Sequence, residues 1–150
     1  MRLSEKQSDF MWMVNDLLSY VSQLDTKFYI KITSWNRTLI EQKLLLEQKR
    51  TKTLNSKHLS GLAVDFAWMD NGKPIETFLF LMMGEYWESI GGRWGGRWQV
   101  PNGDMDVYHF EYNEKGRREY VKENQDGGGN AGRKTQQDSG GSDDARSAGG

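Results

Sequence analysis

The 150-residue sequence contains no cysteine and only two histidines, His58 and His109. Without cysteine the chain can form neither a disulfide framework nor a thiolate metal site. It has no run of 18 apolar residues, which excludes a predicted transmembrane helix. The N-terminal segment MRLSEKQSDF also lacks the apolar core of a secretory signal peptide. We therefore expect a protein without membrane insertion that is cytoplasmic at synthesis.

An excess of charge of either sign is also missing, since 20 basic residues face 21 acidic ones. A protein that binds nucleic acid mainly through its charge would be basic. The run GGRWGGRW (91–98) does mix arginine and tryptophan, which can stack on single-stranded bases. That alternative depends on eight residues only, so we expect no nucleic-acid partner. The apolar run 78–83 could indicate a membrane contact. At helical spacing, however, such a run is more often part of a core helix.

The glycines are unevenly distributed, and eight of the 17 follow Asp126. The segment after that residue contains no aromatic residue and no Leu, Ile, Val or Met, whereas every aromatic residue lies at or before Tyr120. Such a segment cannot bury enough apolar surface to offset its chain entropy. We expect one folded domain over residues 1–123 and a disordered tail rich in Gly, Ser and Asp over residues 124–150.

Hydrophobic periodicity and turn signals predict an α+β fold with a small, mostly antiparallel sheet packed with helices. Two predicted helices begin at capping boxes, Ser4 with Gln7 and Thr38 with Glu41, and a third ends at Gly91. The first predicted helix extends to about Leu24, the second extends to about Lys49, and the third covers Thr77–Ser89. The predicted strands are Lys27–Thr33, Gly61–Trp68 and Tyr108–Tyr112, and Asn71-Gly72 is typical of a tight turn.

Asp65 is unusual because it interrupts the apolar strand segment GLAVDFAW. A buried carboxylate is costly unless it is paired or binds a metal. His58 precedes Asp65 by seven residues, and His109 lies in another strand; two histidines and an aspartate form a nitrogen–oxygen ligand set for zinc. Asp106 or Glu111 could then act as the general base. The alternatives are that the histidines are merely satisfied core or surface groups, and that Asp65 bonds to Arg37 or to loop amides.

Four segments resemble the zinc peptidases of the D-Ala-D-Ala carboxypeptidase and L-alanyl-D-glutamate endopeptidase family. They are ITSWNRTLIEQ (32–42), SKHLSGLAVDF (56–66), YWESIGGRWGGRW (86–98) and DVYHFEY (106–112). The family pattern is Ser-x-His, a short segment with glycine, and Asp, followed far downstream by an acid, two residues and His. The resemblance covers about residues 28–112 and implies the Hedgehog/DD-peptidase-like fold.

The resemblance also implies a role for individual residues. His58, Asp65 and His109 would be the zinc ligands, and Asp106 would be the catalytic acid/base, with Asp104 as the alternative. Arg37 would face the substrate and steady the carbonyl oxyanion or a substrate carboxylate. The residues that would bind substrate or support this site are Ser56, Gln42, Trp98 and Glu111, the last of which would orient His109.

For the whole protein, the resemblance implies a monomeric peptidase that hydrolyses the stem peptides of bacterial peptidoglycan. We expect a phage or prophage endolysin of the L-alanyl-D-glutamate endopeptidase type, which acts on the cell wall after its release from the cytoplasm. Two alternatives remain open. One is a D-Ala-D-Ala carboxypeptidase, and the other is a non-catalytic wall-binding or virion structural protein with the same fold.

Overall fold

The structure, a computed structural model, describes residues 1–50, 53, 55–98 and 105–126. Within these ranges the order of elements is α1 (Leu3–Ser22), β1 (Tyr29–Ser34), α2 (Leu39–Glu47), β2 (Ala63–Asp70), β3 (Lys73–Ile75), α3 (Leu79–Ser89), β4 (Arg93–Trp94), β5 (His109–Glu111) and α4 (Glu114–Asp126). Two short 3-10 helices, Lys57–Ser60 and Gly95–Arg97, complete the described part. None of these helices has the length and apolar character that crossing a membrane requires.

The five strands form one sheet in the order β1-β2-β5-β4, and β3 also pairs with β2. Every pairing in this sheet is antiparallel, which confirms the predicted α+β class. The register places His109 of β5 directly opposite Asp65 of β2. On the other side of β2, Ser34 at the end of β1 also pairs with Asp65, after an irregularity in the ladder. The middle of the sheet therefore brings the two motif segments together.

The hydrophobic core lies between the sheet and the helices α1 and α3. Alternate residues of β2 point into it, and so does Phe110 of β5. The helices and strands contribute the fully buried side chains Phe10, Met13, Leu17, Val64, Phe66, Trp68, Met83, Trp87 and Phe110. Since successive strand residues face opposite sides, Asp65 faces away from this core, with a side chain that is 20% exposed. The carboxylate that interrupts the apolar strand therefore lies on the face of the sheet opposite the core.

The two predicted capping boxes have different outcomes. At α2, the Thr38 hydroxyl accepts from the Glu41 amide at 3.2 Å and the Thr38 amide donates to Glu41 Oε2 at 2.6 Å, as predicted. At α1, the prediction that Ser4 begins the helix is wrong, because the helix already begins at Leu3. Glu5 instead accepts a hydrogen bond from the backbone amide of Arg2 at 2.5 Å.

The predicted tight turn joins β2 and β3. Asn71 and Gly72 both have a positive φ, 49° and 77°, as a two-residue hairpin turn of the primed type requires. The strand before the turn, β2, begins and ends two residues later than the predicted Gly61–Trp68. Gly61 is not part of it because this residue has a left-handed φ of 66° and ends the preceding 3-10 helix. The α3 helix begins at Leu79, two residues after the predicted start, and ends at Ser89.

The helix α4 was not predicted from the sequence. Its segment EKGRREYVKENQD has Tyr120 and Val121 as its only apolar or aromatic residues, so it offers no apolar stripe for periodicity to detect. Ion pairs hold it against α1: Arg117 binds both carboxylate oxygens of Asp9 at 2.9 and 3.0 Å, and Lys6 contacts Glu114 at 2.6 Å. The helix extends to Asp126, and the remainder of the tail expected to be disordered lies outside the described residues.

Candidate metal and catalytic site

Three elements bring the predicted ligands together in one cluster. His58 lies on the 3-10 helix before β2, Asp65 on β2 and His109 on β5, and one ligand atom of each lies within 4.8 Å of the others. His58 Nε2 is 3.2 Å from Asp65 Oδ2, and His109 Nδ1 is 3.0 Å from Asp65 Oδ1. Tetrahedral zinc, with bonds of about 2.0–2.1 Å to nitrogen and oxygen, would separate its ligand atoms by about 3.3 Å. Each histidine nitrogen lies at about this distance from one oxygen of Asp65, and the donor set of two imidazoles and one carboxylate is one that zinc binds.

The sequence around His58 fixes which of its ring nitrogens faces the cluster. The Ser56 side chain caps the 3-10 helix by accepting from the His58 amide at 3.3 Å. His58 Nδ1 lies 2.8 Å from the backbone carbonyl oxygen of Trp35, an acceptor that requires a proton on Nδ1. This hydrogen bond leaves the Nε2 lone pair directed toward Asp65, as a metal ligand requires.

His109 is held by contacts on both sides of its ring. Its Nε2 lies 3.0 Å from Glu111 Oε2, so a proton on Nε2 leaves Nδ1 as the ligand atom. The Trp98 ring packs against the His109 ring with centroids 5.0 Å apart. Gly95 allows the backbone of Asp106 and the side chain of His109 to lie close to it, since a Cβ at that position would collide with the Asp106 carbonyl oxygen and contact the His109 Cβ.

The mutual contacts shift the pKa values of the two central groups in opposite directions. Burial alone would raise the pKa of Asp65, but hydrogen bonds from His109 and His58 outweigh it and lower the pKa to about 2. Burial would likewise lower the pKa of His109, but its bonds to Asp65 and Glu111 raise the pKa to about 9. These shifts apply while protons occupy the ring nitrogens that face Asp65; a metal ion would displace those protons and take the Asp65 carboxylate as a ligand.

Asp106 lies beside the cluster but outside the group of three ligand atoms. Its Oδ1 accepts from the Tyr108 amide at 3.1 Å, and its own amide donates to the Gly95 carbonyl at 3.0 Å. Burial, and next the negative charge of Asp65, raise the pKa of this carboxyl group. A carboxylate with a raised pKa is suited to take up and return a proton. Asp104, the alternative base, lies outside the described residues.

Arg37 approaches the cluster from the segment between β1 and α2. Its Nη2 lies 3.9 Å from Asp65 Oδ2 and 3.3 Å from the Ser34 hydroxyl. Its Nη1 donates to Gln42 Oε1 at 2.8 Å, and Gln42 in turn donates to the Thr53 carbonyl at 2.6 Å. Gln42 is fully buried. It therefore supports the guanidinium group of Arg37 from behind and does not face the cleft.

The cluster lines a cleft of about 280 Å³. The side chains around this cleft are Arg37, Leu45, Arg50, Thr53, Ser56, His58, Asp65, Trp98, Asp106 and His109. An adjoining cavity of about 400 Å³, on the side of the β2–β3 hairpin, shares Asp65 and Asp106 with it. The cleft therefore contains the predicted ligands, base, arginine, Ser56 and Trp98, whereas Gln42 and Glu111 contact the site from outside.

Several groups at the site were not identified from the sequence. Two of them are backbone carbonyls, which leave no mark in a sequence: that of Trp35 at His58 and that of Thr53 at Gln42. The third is the Ser34 hydroxyl at Arg37, and serine is a common surface residue. Arg93, which pairs with Glu111 at 3.3 Å, could have been found only from the strand register. Leu45 and Arg50 belong to the rim of the cleft and match no part of the motif.

Comparisons with known proteins agree with these observations. The model of the family described as D-alanyl-D-alanine carboxypeptidase matches residues 49–112, the segment that contains all three candidate ligands. This match confirms the resemblance inferred from the motifs. The solved structure of the L-Ala D-Glu endopeptidase ChiX of Serratia marcescens is similar, with a TM-score of 0.58 and 21% identity over 77% of this chain and 89% of that one. It confirms the DD-peptidase-like fold. A search of curated proteins gives no match.

Proposed function

We propose that this protein is a zinc-dependent peptidase that hydrolyses the stem peptides of bacterial peptidoglycan. The observation that carries the proposal is the cluster of His58 Nε2, Asp65 and His109 Nδ1, which lines a cleft together with Asp106 and Arg37. Three protein ligands leave a fourth zinc position open, which is the arrangement of catalytic rather than structural zinc. The family match to a carboxypeptidase model supports the same class of reaction.

Two histidines and one carboxylate form a ligand set that catalytic zinc uses in peptidases. When bound, zinc supplies a Lewis acid that polarises the scissile carbonyl and lowers the pKa of water to about 7. The protein contributes the orientation of the ligands: Trp35 fixes the His58 ring and Glu111 fixes the His109 ring. Asp65 supplies the negative charge that holds the cation.

Asp106 would act as general base and then as general acid. Its carboxylate lines the cleft beside Asp65, where it can accept a proton from the attacking water. Returning this proton to the leaving amine breaks the peptide bond and restores Asp106. General acid–base catalysis of this kind typically contributes 10²- to 10⁴-fold to the rate. The raised pKa of Asp106 favours this exchange.

Arg37 would steady the negative charge that develops on the carbonyl oxygen, or a carboxylate of the substrate beside the scissile bond. Gln42 and Ser34 hold its guanidinium group in a fixed orientation before substrate binds. A preorganised donor of this kind is commonly worth about 3 kcal/mol in transition-state stabilisation. Stem peptides contain free carboxylates, which an arginine can bind with two parallel hydrogen bonds.

Two bond specificities are compatible with this site, and a different observation favours each. The similarity in fold to an L-Ala D-Glu endopeptidase favours cleavage between those two residues, as in an endolysin of a phage or prophage. The description of the matching family favours removal of a terminal D-alanine. Of these two, we propose the endopeptidase, acting as a monomer on the cell wall after release from the cytoplasm.

Digestion of purified peptidoglycan followed by mass spectrometry of the fragments tests this choice. Endopeptidase action would release stem fragments that begin with D-glutamate and leave L-alanine on the glycan. Release of free D-alanine would identify a carboxypeptidase instead. Binding to the wall without any new fragment, by zinc-loaded protein, would support the non-catalytic alternative and contradict the proposal.

A further inference from the structure

The run GGRWGGRW contains the tetrapeptide Gly-Gly-Arg-Trp twice, and the structure gives the two copies interlocking contacts. Arg93 of the first copy lies over the Trp98 ring of the second at 5.6 Å. Arg97 of the second copy lies over the Trp94 ring of the first at 5.4 Å. Each arginine also forms an ion pair with one glutamate. The two arginines therefore make the same two kinds of contact.

The partners of Arg93 both touch His109. Arg93 is directly opposite Glu111 in the β4–β5 ladder, and its Nη1 is 3.3 Å from Glu111 Oε1. The other oxygen of the same carboxylate, Oε2, is 3.0 Å from His109 Nε2. Trp98, the ring beneath Arg93, packs against the His109 ring. One arginine thus contacts both groups that fix the orientation of this candidate ligand.

The partners of Arg97 lie elsewhere. Glu88, whose carboxylate is 3.2 Å from Arg97 Nε, is a half-buried residue of α3. Trp94 belongs to the hydrophobic core, where it packs beside Phe110 and donates to the Val107 carbonyl at 2.8 Å. Arg97 therefore provides a matched comparison, with the same chemistry in the same motif and, within the described part of the chain, side-chain partners in Glu88 and Trp94 that differ from those of Arg93.

We propose that Arg93 is a positioning residue for the metal site and acts on His109 through Glu111 and Trp98. The inference rests on the proposed function, since it takes His109 as a metal ligand. By holding Oε1, Arg93 directs Oε2 toward His109, which keeps a proton on Nε2 and leaves Nδ1 free for the metal. Groups that orient a ligating histidine in this way typically change metal affinity 10- to 100-fold.

The effect should appear in metal binding rather than in folding. The Arg93 side chain is 60% exposed, and its partner Glu111, which is 9% exposed, keeps its contact with His109 when Arg93 is removed, so we expect only a small loss of stability. A residue with only a structural role would change the thermal midpoint of unfolding. A positioning residue would change the metal affinity and the coordination geometry at nearly constant stability.

The experiment compares the full-length Arg93→Ala and Arg97→Ala variants with the parent protein. Zinc affinity is measured by competition with a chromophoric chelator, and the visible spectrum of the cobalt(II)-loaded protein reports the coordination geometry. We expect Arg93→Ala to bind zinc about 10-fold more weakly and to alter the cobalt spectrum. We expect Arg97→Ala to match the parent in both measurements, and Arg93→Lys to recover part of the lost affinity.

A double variant tests the route through Glu111. If Arg93 acts through this carboxylate, adding Arg93→Ala to Glu111→Gln should weaken zinc binding less than it does in the parent. Unchanged zinc affinity in Arg93→Ala, or an equal loss in Arg97→Ala, would overturn the inference and leave the proposed function intact. A parent protein that binds no metal would overturn both.

Discussion

The Asp65 carboxylate lies opposite His109 in the β2–β5 ladder, with Oδ1 3.0 Å from His109 Nδ1. Its second oxygen, Oδ2, is 3.2 Å from His58 Nε2, so each histidine contacts a different oxygen of one carboxylate. A shift of the register by one residue would turn Asp65 toward the core and separate it from His109. The metal site therefore depends on how these two short strands pair.

Removal of His58 should abolish metal binding. His58→Ala eliminates one of three ligands, and the remaining Asp65 and His109 cannot hold zinc tightly. Elemental analysis of the purified protein should find about one zinc per chain in the parent and almost none in the variant. Lys57→Ala, an exposed change on the same 3-10 helix, is the control and should retain zinc. Full occupancy in His58→Ala would show that His58 is not a ligand.

Replacement of Asp106 should separate catalysis from metal binding. Asp106→Asn retains an oxygen that can accept from the Tyr108 amide, but the amide cannot take up a proton. We expect zinc content to stay at the parent level and kcat to fall about 10²- to 10⁴-fold, the usual contribution of general acid–base catalysis. Hydrolysis of peptidoglycan by this variant at the parent rate would assign the base elsewhere, with Asp104 as the next candidate.

Gln42 should affect both the activity and the stability, because its fully buried amide links Arg37 to the Thr53 carbonyl. Gln42→Met keeps the side-chain volume but removes the hydrogen bonds to Arg37 and to the Thr53 carbonyl. We expect the free energy of unfolding to fall by about 1–3 kcal/mol, the usual cost of unsatisfied buried groups, and kcat/KM to fall as Arg37 loses its orientation.

Chemical denaturation and steady-state kinetics on a soluble stem peptide would measure the two effects of Gln42→Met. Gln48→Met, at an exposed position just after α2, should change neither quantity. A Gln42→Met variant that is destabilised but has the parent kcat/KM would show that Arg37 needs no support from Gln42.

Arg117 should stabilise the fold without any effect on the metal site. It joins α4 to Asp9 of α1 through two hydrogen bonds and donates to the Ile90 carbonyl at 3.0 Å. We expect Arg117→Ala to lower the free energy of unfolding by at least about 2 kcal/mol, since it removes three hydrogen bonds and a hydrogen bond to a charged group contributes about 1.5–3 kcal/mol. Zinc content should not change.

Arg118→Ala is the matched control for Arg117→Ala, and denaturant titration would compare them. Arg118 is exposed and pairs with Glu114 one helical turn away, and such a contact between exposed side chains contributes little to stability. Equal stability losses in the two variants would contradict a specific anchoring role for Arg117.

The sequence predicted the elements that carry local signals. The capping box at Thr38, the Asn71-Gly72 turn and the alternation around His109 each depend on neighbouring residues, and each is confirmed. The helix α4 has no such signal, because it is held by ion pairs to residues about 100 positions away. The predicted start of α1 at Ser4 is wrong, because the Glu5 side chain accepts from the Arg2 amide and the helix begins after Arg2.

For the site, the two histidines and the motif around Asp65 were sufficient to propose a ligand set that the structure brings into contact. The supporting contacts could not be predicted, because they depend on strand register and on backbone atoms. The Trp35 carbonyl orients His58, and Arg93 reaches Glu111 only because β4 pairs with β5 in one particular register.

The most direct test of a zinc-dependent peptidase is the hydrolysis of purified peptidoglycan by the parent protein before and after treatment with a chelator. We expect release of new peptide termini that stops when the metal is removed and returns when zinc is added. The His58→Ala variant should remain inactive in all three conditions. Hydrolysis that continues in the chelated protein, or that is absent from the fully zinc-loaded parent, would contradict the account.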